Sequence, residues 1–393
     1  MKGWLRTDGR KGIRNHVAVA YLVECAHHVA RRIAGEDGHL IGFPGCFPNP
    51  YAQRMMERLC THPNVGAVVL VSLGCESFDR QALESVVRAS GRPCLTVVIQ
   101  ATGGTAASIA MGRAFVAQQA AALLLAPVVP MTPADLVVGT VCGGSDGTSG
   151  ITGNPAAGIA FDKLVAAGAA CIFEETGELI GCEDVMEARA ATPALGAELR
   201  ASVDKAARYY ATLGYGSFAA GNADGGLTTI EEKSLGAYMK SGQSRISGLL
   251  KPGDQPPRGG LYLLDVVPDG EVRFGFPNIS DNAEIVEMMA CGAHCTLFVT
   301  GRGSVVGSAL APVVKIAANP HMFARMAGDM DVNAGAILTG SATLEQVGQQ
   351  IFDRVIGLAQ GQTTASEDLG HREFILTYKT FDPIGPACLP GVG

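Results

Sequence analysis

Val65-Gly-Ala-Val-Val-Leu-Val-Ser-Leu73 is an apolar run rich in β-branched residues, and it stops at Gly74-Cys75-Glu76. Such a run reads as a buried strand. Downstream, Phe78 to Ser90 has a helical pattern, Leu95 to Ile99 is a second strand ending at Gln100, and Thr102-Gly-Gly-Thr105 opens a helical stretch to about Leu125. Upstream, the apolar run Val17 to Val23 is followed by a helical stretch near Ala26 to Ile33. Strands alternating with helices predict an α/β fold with mostly parallel, Rossmann-like sheets, whose ligands sit beyond the carboxyl ends of the strands. Cys75, Glu76 and Gln100 fall at such ends.

A chain of 393 residues is too long for one ordinary core. The Pro-rich stretch Pro127 to Pro133 divides it into an N-terminal α/β domain, 1–130, and a C-terminal α/β domain, 131–393, with a Pro/Gly-rich sub-boundary near 252–260. In the second part, Leu136 to Val141, Leu261 to Val267 and Cys295 to Thr300 read as strands, and Ala283 to Cys291 and Leu344 to Ala359 as helices. The stretch around Gly221 to Gly226 reads as irregular.

The composition is 47% hydrophobic and 17% charged, which points to a large core or a subunit interface, and hence to an oligomer. No apolar run reaches the ~18–20 residues of a membrane span; Ala114 to Met131 is broken by Gln118 and Gln119. The N-terminus has no apolar signal core, so a cytoplasmic protein is expected. A net charge of -7 without a basic block argues against nucleic-acid binding. The 11 cysteines, an odd number in a chain without an export signal, read as thiols. The 51 glycines exceed the usual ~7% and cluster beside polar residues, as expected where backbone approaches a ligand closely.

Several segments are candidates for chemistry. Arg6, Arg10 and Arg14 with Asn15 form either a solvated turn or a clamp for carboxylates, which guanidinium forks bind bidentately. Cys46, Cys75 and Cys142 all lie next to glycine; each alone would be a small buried residue, but together they are candidate metal ligands, with Glu76 and Glu175 as alternative oxygen donors. Cys142-Gly-Gly-Ser-Asp-Gly-Thr-Ser-Gly-Ile-Thr-Gly-Asn-Pro155 is too polar for core and is either a linker or an anion cradle, with Ser145, Asp146, Ser149, Thr152 and Asn154 in view. It lacks the ending of a phosphate-binding loop proper. In Gly221 to Lys240, Thr228 and Glu231 have the spacing of a helix cap, while Lys233 is a candidate base or anion anchor. Arg302 and Lys315 could neutralise an anionic group. No G-x-G-x-x-G motif follows an early strand with an acidic residue ~20 positions on, which argues against a dinucleotide-dependent dehydrogenase.

In this order, Asp8-Gly-Arg-Lys-Gly-Ile-Arg-Asn15, Leu73-Gly-Cys-Glu76, Cys142 to Pro155, Gly221 to Lys240, Thr300-Gly-Arg-Gly303 and Pro312-Val-Val-Lys315 resemble the altronate/galactarate dehydratase family. The resemblance implies metal-assisted elimination from a small anionic hydroxy acid, with iron as the metal, either mononuclear Fe2+ or an iron–sulfur cluster. It also implies that a small N-terminal domain of altronate dehydratase has no counterpart here and is supplied by a separate small subunit. Phe43-Pro-Gly-Cys-Phe-Pro-Asn49 and Ser304-Val-Val-Gly-Ser-Ala309 depart from the sugar-acid pattern. With the ending Gly385-Pro-Ala-Cys-Leu-Pro390, they look more like the branch containing large subunits of (2R)-sulfolactate sulfo-lyase. The implied reaction converts (2R)-3-sulfolactate to pyruvate and sulfite. In it Glu76 or Lys233 would be the base, Asp146 a further catalytic group, and Arg10, Arg14, Asn15, Ser145, Asn154, Arg302 and Lys315 would bind substrate. The alternatives are an altronate-type dehydratase and a non-catalytic subunit that binds acidic metabolites.

Overall fold

The computed structural model describes residues 1–213, 220–271, 280–376 and 378–380. The ending 385–390 singled out above lies outside the described residues. The chain forms two compact units.

The smaller unit, built mainly from residues 4–127, contains strands β1 (His16–Tyr21), β2 (Gly38–Gly42), β3 (Val65–Ser72) and β4 (Cys94–Val98). Helices α1 (His27–Ala34), α2 (Pro50–Cys60), α3 (Arg80–Ala89) and α4 (Gly104–Leu124) connect and cover them. The sheet is parallel, in the order β2-β1-β3-β4. All eight residues of β3 are buried, which explains its near-continuous apolar sequence: a central parallel strand has no solvent face on which to alternate. Buried polar side chains secure the turns of this unit. Asn64 Oδ1 accepts from Ile13 N, and Arg92 is buried with its guanidinium on the carbonyls of Thr61, His62 and Val65.

The larger unit carries a seven-stranded parallel sheet. Its elements are β5 (Val137–Cys142), α5 (Gly153–Ala166), β6 (Ala170–Phe173), α6 (Glu183–Arg189), α7 (Pro193–Leu213), α8 (Ile230–Tyr238), β7 (Ile246–Leu250), β8 (Gly260–Leu264), α9 (Asp281–Ala290), β9 (Cys295–Thr300), β10 (Val313–Ala317), β11 (Val332–Asn333) and α10 (Leu344–Leu358). The strand order is β7-β8-β6-β5-β9-β10-β11. From β5 the chain passes to β6 on one side, and it later returns to place β9 on the other. That reversal opens a crevice beyond the carboxyl ends of β5, β6 and β9, the position at which open α/β sheets hold ligands.

The expected α/β class with mostly parallel sheets is observed. Local corrections concern the glycine-rich segments. The stretch 142–155 is not loop throughout, because α5 starts at Gly153. The cap of α8 is shifted by one residue from the expected Thr228: Thr229 accepts from Glu232 N at 3.2 Å, while Thr228 donates to Glu232 Oε2 through both its backbone N and its hydroxyl, each at 2.7 Å. Among the described residues no helix is long and apolar enough to cross a membrane.

Candidate metal and active site

Cys142 is the last residue of β5 and is buried. Immediately after β6 the chain runs Glu174-Glu175, and a single 3-10 turn, Thr176–Leu179, presents Glu178. The Cys142 thiol lies 3.3 Å from Glu175 Oε2 and 3.6 Å from Glu178 Oε2, and Cys142 N donates to Glu175 Oε1 at 3.0 Å. Glu175 has φ 83°, the sole non-glycine residue in the left-handed region among those described. That conformation costs roughly 1–2 kcal/mol, and backbone strain of this kind clusters at functional sites.

Two lysines meet the same sulfur. Lys233, on α8, places Nζ 3.3 Å from Sγ, and Lys240 places Nζ 3.5 Å from it. Seven residues apart, they lie on one side of the helix and the turn that continues it. Lys233 pairs with Glu178 and Lys240 with Glu175. Burial opposes the charge on Lys233, but Cys142 and Glu178 outweigh it and hold the ammonium above the usual lysine range. A close backbone approach makes this convergence possible: a Cβ at Gly150 would stand 2.9 Å from Gly236 Cα, so two glycines let α8 settle on the loop that follows β5.

The loop itself is held by Asp146. Its Oδ1 accepts from Thr148 N at 2.9 Å, Thr148 Oγ1 at 2.6 Å, Ser149 N at 3.1 Å and Ser149 Oγ at 3.2 Å, and Oδ2 accepts from Asn319 Nδ2 at 3.0 Å. Ser145 donates to Cys142 Sγ at 3.6 Å. Next to the loop is a cavity of about 430 Å³, lined by Ser145, Asn154, Arg189, Lys233 and Tyr238 among others. Asn154 is buried and donates to Gly236 O, while its Oδ1 has no hydrogen-bond partner among the described residues.

More acids flank the centre. Burial, reinforced by Glu178, lifts the Asp281 carboxyl to about 6. Burial pushes the Glu284 carboxyl well above the carboxylate range, and the neighbouring Glu174 carboxylate raises it further.

The structure thus brings together Cys142, Lys233, Ser145, Asp146 and Asn154 from the residues singled out in the sequence, with Glu175, the alternative oxygen donor. It adds Glu178 and Lys240. A donor set of one thiolate and two carboxylates, with ligand atoms within 4.8 Å of one another, has the chemistry of a site for a single divalent transition ion. Iron–sulfur clusters instead rest chiefly on several cysteines. Lys315, in β10, is fully buried, and burial lowers its pKa; its backbone N donates to Asp331. Arg302, past the end of β9, donates to Gly221 O at 2.5 Å and lies 4.0 Å from Asp224.

The remaining candidates lie in the smaller unit. Cys46 and Cys75 are exposed. Glu76 is buried; its Oε2 accepts from Gly74 N at 2.8 Å, and its Oε1 has no hydrogen-bond partner among the described residues. Arg10 pairs with Asp8 at 2.6 Å and donates to Thr61 O, Arg14 donates to Ile13 O, and Asn15 bridges Arg6 and Leu123 O.

Residues 133–381 match the family model for the C-terminal part of D-galactarate/altronate dehydratase, and residues 3–123 match that for the second domain of D-galactarate dehydratase/altronate hydrolase. The chain is similar to (2R)-sulfolactate sulfo-lyase subunit beta from Chromohalobacter salexigens, at 32% identity across 95% of this chain and 96% of that protein. It is similar to Escherichia coli altronate dehydratase at 28% identity, across 94% and 76% of the two chains. Its similarity to Escherichia coli galactarate dehydratase (L-threo-forming) is 35% identity, across 60% and 43%. These matches cover both units and include every residue of the Cys142 group, and the chain belongs to the galactarate/altronate dehydratase family.

Proposed function

We propose that this chain is the large subunit of a metal-dependent lyase that eliminates sulfite from (2R)-3-sulfolactate to give pyruvate. The observation that carries this reading is the similarity to a sulfo-lyase subunit along nearly the whole of both chains, combined with a buried cysteine–carboxylate–lysine group at the crevice of the larger sheet. The name of that relative also supports a partner subunit here.

Cys142, Glu175 and Glu178 would hold the metal, an iron(II) ion. Bound there, it supplies Lewis acidity towards the hydroxyl and carboxylate of the substrate, which makes the proton on C2 more acidic. The substrate enters the cavity beside Lys233. The Lys233 ammonium offsets the negative charge that builds up as the C2 proton leaves. A base accepts that proton. The C–H electrons form the C2–C3 double bond, and the C3–S bond breaks with its pair going to sulfite. The enol that remains takes up a proton at C3, gives up its hydroxyl proton and becomes pyruvate. Asp146 acts by holding Ser145 and the loop in place, since its carboxylate is filled by five donors.

A second reading, dehydration of a sugar acid such as altronate, is favoured by one observation. Asn154 Oδ1 is a buried acceptor at a cavity of about 430 Å³, and the distal hydroxyls of a longer acid would satisfy it. Anaerobic assays of the iron-loaded protein on each acid, with and without the small subunit, test the two readings. Sulfite from sulfolactate supports the first, and keto acid from altronate without any sulfite supports the second. Binding of either acid without turnover would instead mark a non-catalytic subunit.

A further inference from the structure

The two carboxylates that a metal ion would share with Cys142 are already claimed. Lys240 pairs with Glu175 through Oε2 and Lys233 with Glu178 through Oε2, the same two oxygens that face Cys142 Sγ. The ammonium nitrogens also contact that sulfur, at 3.3 and 3.5 Å. Every donor atom of the centre therefore touches an ammonium group. Lys240 is fully buried and Lys233 is 4% exposed, so water screens these charges little.

Two ammonium groups carry the charge of one dication. Exchanging them for a metal leaves the charge among these anions unaltered, whereas adding the metal beside both would crowd like charges in a desolvated space. We propose that Lys233 and Lys240 are place-holding cations, which gather the thiol and the two carboxylates in the metal-free chain and are displaced when a divalent ion enters. Lys233 lines the cavity, so its ammonium has space to withdraw into. The two lysines thus set the metal affinity, and they set it lower than the donor set alone would give. This inference rests on the reading that a metal binds at Cys142.

Cobalt(II) is a suitable probe, because thiolate coordination gives it a charge-transfer absorption band that can be followed in a titration. Lys233→Met and Lys240→Met are each expected to tighten cobalt binding by about tenfold or more, a gain of ~1.4 kcal/mol, while Lys233→Arg leaves the affinity near that of the wild type. Unchanged or weaker binding in a folded Met variant would overturn the proposal. A measurement on the wild-type chain does not depend on whether the variants fold. Acetylation of Lys233 by an amine-directed reagent, located by peptide mapping, should be faster with cobalt bound. Equal or slower labelling contradicts displacement. Failure of the metal reading itself looks different: the wild type gives no thiolate–cobalt band, or Cys142→Ser retains it.

Discussion

Lys233 Nζ lies 3.3 Å from Cys142 Sγ, although the two residues are 91 positions apart in the chain. Cys142 ends a strand of the sheet, whereas Lys233 arrives on a helix that is capped by Thr229 and fits against Gly150 through Gly236. The pair ties the glycine-rich loop, the acidic turn after β6 and α8 into one group. Substitutions well away from the reacting atoms should therefore disturb it in predictable ways.

Asp146 is expected to act as a positioning residue. Asp146→Ala removes the acceptor for five hydrogen bonds and should destabilise the chain by about 1–3 kcal/mol, with loss of turnover. Asp146→Asn keeps the shape and should recover part of both. Chemical denaturation alongside kcat and KM checks this. An Ala variant of wild-type stability with no activity would instead give Asp146 a direct role.

Gly301 has no room for a side chain, because a Cβ would run into the Asp146 carboxylate. Gly301→Ala should cost about 1–3 kcal/mol by overpacking. Pairing it with Asp146→Ala should cost less than the sum of the two, since the clash then disappears. Additive losses in the double-mutant cycle would contradict the contact.

The carboxyl of Asp281 is raised to about 6 by burial and by Glu178. Because the folded value lies above the unfolded one, its contribution is stabilising at low pH and is lost as pH rises from the unfolded value through the folded one. Asp281→Asn, which mimics the protonated acid, should raise the unfolding midpoint at about pH 7.5 and leave it little changed at about pH 3.5. An equal shift at both pH values would show that ionisation of Asp281 is not the cause.

Thr229→Ala removes the side-chain acceptor for Glu232 N and should cost about 1 kcal/mol. Because α8 carries Lys233, the loss should also appear in hydrogen exchange at the start of that helix. Protection unchanged there would place the anchoring of α8 elsewhere.

Much of this arrangement was legible in the sequence, for physical reasons. Central parallel strands such as Val65–Ser72 and Cys295–Thr300 are buried throughout and mostly apolar, so length and β-branching reveal them. The segment from Cys142 to Pro155 stood out because glycine and small polar residues have no place in a core. Glu178 was not legible. The strand before it, Ala170–Phe173, has only four residues, and without recognising its end nothing marks the following acids as facing the crevice. Lys240 was hidden differently: sequence spacing puts it on the side of Lys233, but only the fold shows that this side meets a cysteine. The cap expected at Thr228 with Glu231 falls one residue later, on Thr229 with Glu232, because the Thr229 hydroxyl accepts from Glu232 N while Thr228 itself bonds the Glu232 carboxylate.

The central claim is that the Cys142 group is the centre of a sulfite-eliminating enzyme. The most direct test is an anaerobic measurement of sulfite and pyruvate formed from (2R)-3-sulfolactate by the iron-loaded chain with the proposed small subunit, wild type against Cys142→Ser, with folding of both verified. The account predicts equimolar sulfite and pyruvate from the wild type and neither from the folded variant. Sulfite release that survives Cys142→Ser, or a wild type that yields keto acid from altronate and no sulfite, would contradict it.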